Sequence, residues 1–185
     1  MRRIFRIFCF VLMLVAVFSA EAKENAVNIF QAFRPVPERK IKSADGEKLS
    51  LSDFKGQFVV AVFWSKTCGP CIKELEGLNT FYQNALGDNI RLILISKDSE
   101  WHSAVEQRLF LQKYKAPDIE FYTDMKGDLA ADFGIFTSPH TVLVNENSEE
   151  IGRINGTAKW GDPRVLDYIK KIREETSAAQ DVKED

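Results

Sequence analysis

The sequence is poor in thiols and imidazoles, with three cysteines and two histidines among 185 residues. Structural zinc needs four ligands, and outside the N-terminal apolar run only Cys68, Cys71, His102 and His140 qualify as soft or borderline donors. No second ligand pair has finger spacing, so no metal site is expected. An excess of positive charge is also missing. Lys and Arg number 25 against 27 Asp and Glu, and no polybasic run follows the first six residues. Nucleic acid is therefore not an expected partner. The chain carries no nucleotide-binding or flavin motif, so no cofactor is expected. Internal repeats and low-complexity segments are absent as well.

What is present begins with an export pattern. Arg2, Arg3 and Arg6 precede the apolar run Ile7 to Phe18, and Ala20-Glu21-Ala22 puts small residues where a signal peptidase inspects. The run is shorter than the roughly 20 residues a spanning helix requires. Residues 1–22 read as a signal peptide, with an uncleaved membrane anchor as the alternative. Both put the remainder outside the cytoplasm, in a periplasmic setting. Cys9 lies inside the apolar run after the bulky Phe8, which does not suit a lipoprotein site. Loss of 1–22 leaves 22 basic and 26 acidic residues, net -4, and two cysteines. Those two are three positions apart, where a bridge closes almost no loop and stabilises little. A reactive purpose fits better than a structural one.

Residues 23–34 are polar without period and read as a flexible lead-in. A domain is expected over 35–175, and a disordered tail over 176–185, because hydrophobic periodicity fades after Glu174. Ile41 to Leu51 reads as a hairpin turning at Asp45-Gly46. Phe58 to Phe63 and Ile90 to Ile95 have the length and continuous apolarity of strands buried on both faces. Between them, Cys71, Leu75, Leu78 and Tyr82 mark one face of a helix closed by Gly87. A second helix is expected over about 99–115, with Trp101, Val105 and Leu109 at i, i+4, i+8 and a Ser103/Glu106 capping box inside it. Phe121 to Thr123 reads as a strand, Asp128 to Phe133 as a short helix, and Thr141 to Asn145 and Ile151 to Ile154 as two strands. Asp162-Pro163 opens a last helix with Val165, Ile169 and Ile172 inward. The order implies an α/β layered domain with a mixed central sheet flanked by helices.

The chemistry concentrates at Cys68-Gly69-Pro70-Cys71, on a strand-to-helix junction. There the first thiol meets unpaired N–H groups and the positive helix end, which favour its thiolate, the nucleophile of disulfide exchange. One turn on, Cys71 reaches the Cys68 sulfur from inside. Gly69 allows close approach of a partner backbone, and Pro70 is tolerated in the first turn.

Phe63-Trp64-Ser65-Lys66-Thr67-Cys68-Gly69-Pro70-Cys71 resembles the thioredoxin active-site segment. With Asp45-Gly46, Leu49 to Gly56, Phe133-Gly134-Ile135 leading to Ser138-Pro139, and Val142 to Asn145, the chain is similar to the TlpA/ResA branch of exported thioredoxin-like proteins over about residues 36 to 173. The resemblance implies a thioredoxin-like fold and protein-disulfide reduction through a Cys68–Cys71 redox pair. It also implies a cis Ser138-Pro139 peptide whose Ser138 backbone pairs with substrate. Substrate contacts fall to Trp64, Gly69, Pro70, Ser138 and Pro139. The implied partners are exported proteins with disulfides or thiols, apocytochrome c among them, and a membrane dithiol donor.

Three positions depart from the family pattern. Thr67 stands where a second tryptophan is usual, and Glu76 replaces a helix-kinking proline. Val62 replaces thioredoxin's buried aspartate, so proton transfer to Cys71 needs another group. Glu74, three residues after Cys71, is the candidate, with a solvated helix carboxylate as the plain alternative. His140 follows Pro139 and is a modulator of Cys68 if it faces the thiols, a mere strand residue if it does not. His102 has no assigned role. A soft-metal reading remains, in which Cys68, Cys71 and His140 hold Cu(I). The threonine–proline cysteine environment of peroxiredoxins is not matched.

Overall fold

A computed structural model describes residues 27–184. The export segment, residues 1–22, lies outside the described residues. Eight strands form one mixed sheet in the order β1-β8-β7-β4-β5-β6-β2-β3. They are β1 (Asn28–Pro35), β2 (Ile41–Ser43), β3 (Lys48–Leu49), β4 (Phe58–Phe63), β5 (Ile90–Lys97), β6 (Glu120–Asp124), β7 (His140–Val144) and β8 (Glu149–Asn155). Four helices flank the sheet: α1 (Gly69–Asn84), α2 (Ala104–Lys113), α3 (Asp128–Asp132) and α4 (Pro163–Glu184). No helix among the described residues is long and apolar enough to cross a membrane.

β4 is the hub. Its six side chains are all buried, as its β-branched and aromatic run requires of a strand covered on both faces. It pairs in parallel with β5, Phe58 opposite Ile90 through Phe63 opposite Ile95. On its other edge it pairs antiparallel with β7, Phe63 opposite His140. Alternation then divides the interior into two cores. Val60 and Val62 face one core with Leu75 and Leu78 of α1, Leu111 of α2 and Ile169 of α4. Ala61 and Phe63 face the other with Leu129 of α3, Phe133 and Ile135.

Three expectations need correction. Residues 28–34 of the expected lead-in belong to β1, paired with β8 through Asn28–Arg153 and Arg34–Glu150. The strand is exposed along most of its length and interrupted by a bulge, so it carries no alternating pattern to read. Gly152 makes the pairing possible, since a Cβ there would sit 2.7 Å from the Asn28 carbonyl oxygen. At the other end, α4 continues to Glu184, past the expected fraying point. Thr176 is buried there, and its Oγ1 donates to the Ile172 carbonyl at 2.8 Å.

The third correction concerns α2. Ser103 is its N-cap, with Oγ accepting from the Glu106 N–H at 3.1 Å, so the capping pair marks the start rather than the interior. Asp98–Glu100 forms a separate 3₁₀ turn. Val105 and Leu109, expected inward, are exposed, while Gln107 and Leu111 are fully buried. The amide of Gln107 donates to Ser96 Oγ at 3.2 Å, which permits a polar side chain on the inner face.

Candidate active site

β4 ends at Phe63 and α1 begins at Gly69, so the intervening turn delivers Cys68 as the N-cap of α1. Cys68 and Cys71 are joined as a disulfide with Cα atoms 5.3 Å apart. The Cys71 N–H donates to Cys68 Sγ at 3.2 Å. That is the geometry of a side-chain N-cap, and it favours negative charge on the same sulfur after reduction. Cys68 is partly exposed, whereas Cys71 is buried in the α1 core. The outer sulfur is thus reachable by a partner and the inner one is reachable by the outer one.

The Ser138–Pro139 peptide is cis. Cys68 Sγ lies 3.4 Å from the Ser138 carbonyl oxygen. The segment is pinned on both sides. Ile135 N–H donates to the Ala130 carbonyl at 2.8 Å, and the Pro139 carbonyl accepts from the Gly156 N–H at 3.0 Å. The exposed residues that flank Cys68 on its own turn are Thr67, Gly69 and Pro70, and those that precede Pro139 on the turn carrying the Ser138 carbonyl are Phe136, Thr137 and Ser138. None of the six is ionisable.

Glu74 is buried. Its Oε1 accepts a hydrogen bond from the Ala158 N–H, while Oε2 has no hydrogen-bond partner. Burial pushes its carboxyl up to about 7, with the Ala158 amide and the Trp160 indole pulling weakly the other way. The solvated alternative for this side chain therefore does not hold. The loop carrying Ala158 also carries the Gly156 amide bound to Pro139, so one segment touches both the carboxyl and the cis-proline turn. Val62 stays within the apolar core, as its chemistry dictates. Glu76 is exposed and pairs with Lys115 at 2.9 Å, and α1 runs unbroken through it.

Two candidates belong elsewhere. Trp64 is buried, its ring 5.7 Å from Trp101 and 5.9 Å from Phe110, so it shields the site and offers a substrate nothing to touch. His140 shares a cross-strand pair with Phe63, on the sheet face opposite α1. Burial, followed by the Arg153 cation, pulls it below the usual imidazole range, with Glu150 opposing. A ring on the face opposite α1 does not meet the Cys68 sulfur, so it neither stabilises that thiolate nor joins it in a copper site. Among the described residues no cluster of three His, Cys, Asp or Glu could hold a metal. His102 sits on the surface, paired with Glu106 at 3.0 Å.

Two features escaped sequence reasoning. The loop Gly156–Trp160 holds Glu74, and its signal was the Trp160-Gly161 pair packed against Gly77 of α1. Phe136 reads in sequence as one more apolar residue, yet its ring is 86% exposed. Its position two residues before Ser138 was the available clue.

Comparison with known proteins matches residues 33–150 to the AhpC/TSA family. The chain is 28% identical over 141 residues to the thiol-disulfide oxidoreductase ResA of Bacillus thuringiensis subsp. konkukian, covering 75% of this chain and 77% of that protein. It is 29% identical over 152 residues to the sporulation thiol-disulfide oxidoreductase A of Bacillus subtilis, covering 80% and 86%. The crystal structure of StoA from Bacillus subtilis superposes with a TM-score of 0.57 at 25% identity, over 72% of this chain and 98% of that one.

Proposed function

The chain belongs to the AhpC/TSA family, and on that premise we propose that it is an exported thiol–disulfide oxidoreductase that reduces disulfides of periplasmic proteins. The observation that carries this reading is the placement of Cys68 Sγ, bonded by the Cys71 N–H at the start of α1 and 3.4 Å from the Ser138 carbonyl on its open side.

The cycle follows from that arrangement. In the reduced chain the Cys68 thiolate attacks one sulfur of a partner disulfide. The partner's S–S bond breaks, a mixed disulfide forms, and the other partner sulfur leaves as a thiolate that takes a proton. The Cys71 thiol then loses its proton and attacks Cys68 Sγ. The intermolecular S–S bond breaks, and the second partner thiolate leaves. Two electrons have passed to the partner, and the chain is left with the Cys68–Cys71 disulfide. An outside dithiol, supplied by a membrane donor, restores the reduced pair.

Glu74 is the group we assign to the Cys71 proton. It lies one turn along α1, about 5–6 Å between Cβ atoms by helix geometry. A carboxyl titrating near 7 can both accept and return a proton at neutral pH. Gly69, Pro70 and Ser138 would form the surface on which the partner's cysteine segment lies, with Pro139 setting the turn. Residues 1–22 supply the export signal on this reading. Exported proteins bearing disulfides, apocytochrome c among them, are the proposed substrates.

The test is a pair of serine variants. Cys68→Ser is expected to bring insulin-disulfide reduction down to the uncatalysed rate. Cys71→Ser is expected to accumulate a mixed disulfide on Cys68 that a reductant releases. Failure of Cys71→Ser to form any adduct with a disulfide-bearing protein would overturn the reading.

A further inference from the structure

We propose that Phe136 is a specificity-determining contact, selecting partner segments with an apolar side chain beside the reactive cysteine. The proposal rests on the oxidoreductase reading and deepens it. Single exposed apolar residues are common on protein surfaces, so what matters for Phe136 is its place beside the turn that carries Ser138. The loop holds it there. Gly134 takes a left-handed turn at φ +68°, Ile135 is buried with its N–H on Ala130, and Pro139 is buried with its carbonyl bound to Gly156. Both ends are tied down, and Phe136, Thr137 and Ser138 are left facing solvent.

Two residues of chain span at most about 7 Å, so Phe136 sits within one side chain's reach of any segment lying along Ser138. The Ser138 carbonyl is itself 3.4 Å from Cys68 Sγ. A partner strand that brings its cysteine to Cys68 along Ser138 therefore carries its neighbouring residues past Phe136. The opposite flank, Thr67, offers no ring at all, so recognition by aromatic contact is concentrated on one side of the sulfur. With no charge on the six exposed residues of these two turns, the surface favours an uncharged, extended segment, and a buried ring is where such contacts discriminate.

The experiment compares two short peptides, each a mixed disulfide with glutathione, one with Leu and one with Asp flanking the cysteine. Stopped-flow reduction by the reduced full-length protein gives the second-order rate for each. The wild-type chain is expected to prefer the Leu peptide about tenfold, a typical yield for one apolar contact. Phe136→Ala is expected to bring the ratio within about twofold, and Phe136→Leu to restore most of it. Serine-for-cysteine versions of both peptides, titrated by NMR, read the same preference without redox chemistry. A preference kept in Phe136→Ala, or absent from the wild type in both assays, overturns the proposal. Binding preference without any peptide reduction would uphold the docking role and overturn the oxidoreductase reading instead.

Discussion

The Ala158 amide donates to the Glu74 carboxylate across 84 positions of sequence, tying the loop after β8 to the inner face of α1. The other carboxylate oxygen is buried and unbonded. A carboxyl so placed resists ionisation, and the consequences are measurable.

Stability should fall with pH through the Glu74 window. Its carboxyl ordinarily titrates at 4.5 and is pushed up to about 7 in the fold. Between those values the unfolded chain has released a proton that the native chain still holds, so raising pH favours unfolding. The contribution is fully present below 4.5 and lost above about 7, and is worth about 3 kcal/mol at 1.36 kcal/mol per pH unit. Glu74→Gln removes it. Denaturant titrations should show the wild type losing about 3 kcal/mol more than the variant between roughly pH 4 and pH 8. If Glu74 also receives the Cys71 proton, release of the mixed disulfide slows below about pH 7 in the wild type, and Glu74→Gln loses that limb.

The two leucines of α2 should respond in opposite fashion. Leu111→Ala, at a fully buried site, is expected to cost about 2–5 kcal/mol. Leu109→Ala, 60% exposed, is expected to change stability by less than about 0.5 kcal/mol. Urea unfolding of both variants decides which face of α2 is inside.

That helix marks the boundary of what sequence could tell. Buried strands such as β4 declare themselves by continuous apolarity, and Cys68-Gly69-Pro70-Cys71 declares itself by chemistry and position. On α2 one inward position is Gln107, whose Nε2 donates to Ser96 Oγ while its Oε1 stays without a partner. Val105 and Leu109, at helical spacing, point to water. β1 was illegible for a related reason, since a strand held by its backbone and by Glu150 needs no hydrophobic alternation. For Glu74 the carboxylate was visible but its burial was not, because the groups enclosing it come from a loop far along the chain.

Gly152→Ala should loosen β1. The new Cβ would meet the Asn28 carbonyl oxygen at 2.7 Å and Ile29 Cδ1 at 2.8 Å, so the edge strand must shift. A cost of about 1–3 kcal/mol is expected. Hydrogen exchange should accelerate across 28–35 while β4 and β5 stay protected. Unchanged exchange in β1 would remove Gly152 from the account.

Glu150 holds two cations on the face away from the disulfide. Its Oε2 accepts from Arg34 Nη2 at 2.9 Å, and its Oε1 from Arg153 Nε. The Arg153 side chain is only 16% exposed, so removing its counter-ion strands a charge. Glu150→Ala is expected to cost about 3 kcal/mol by thermal or chemical unfolding, with Glu150→Ala/Arg153→Ala recovering part of it.

The exposed residues that flank Cys68 and those that precede Pro139 carry no charge, and this has a kinetic meaning. Long-range fields that accelerate encounter come from the summed charge of the whole protein, which is only -2 for the full chain. With so small a net charge, steering is weak, and short-range fit at the sulfur decides which encounters are productive. The uncharged rim selects neither sign of charge, and leaves discrimination to the moments after collision.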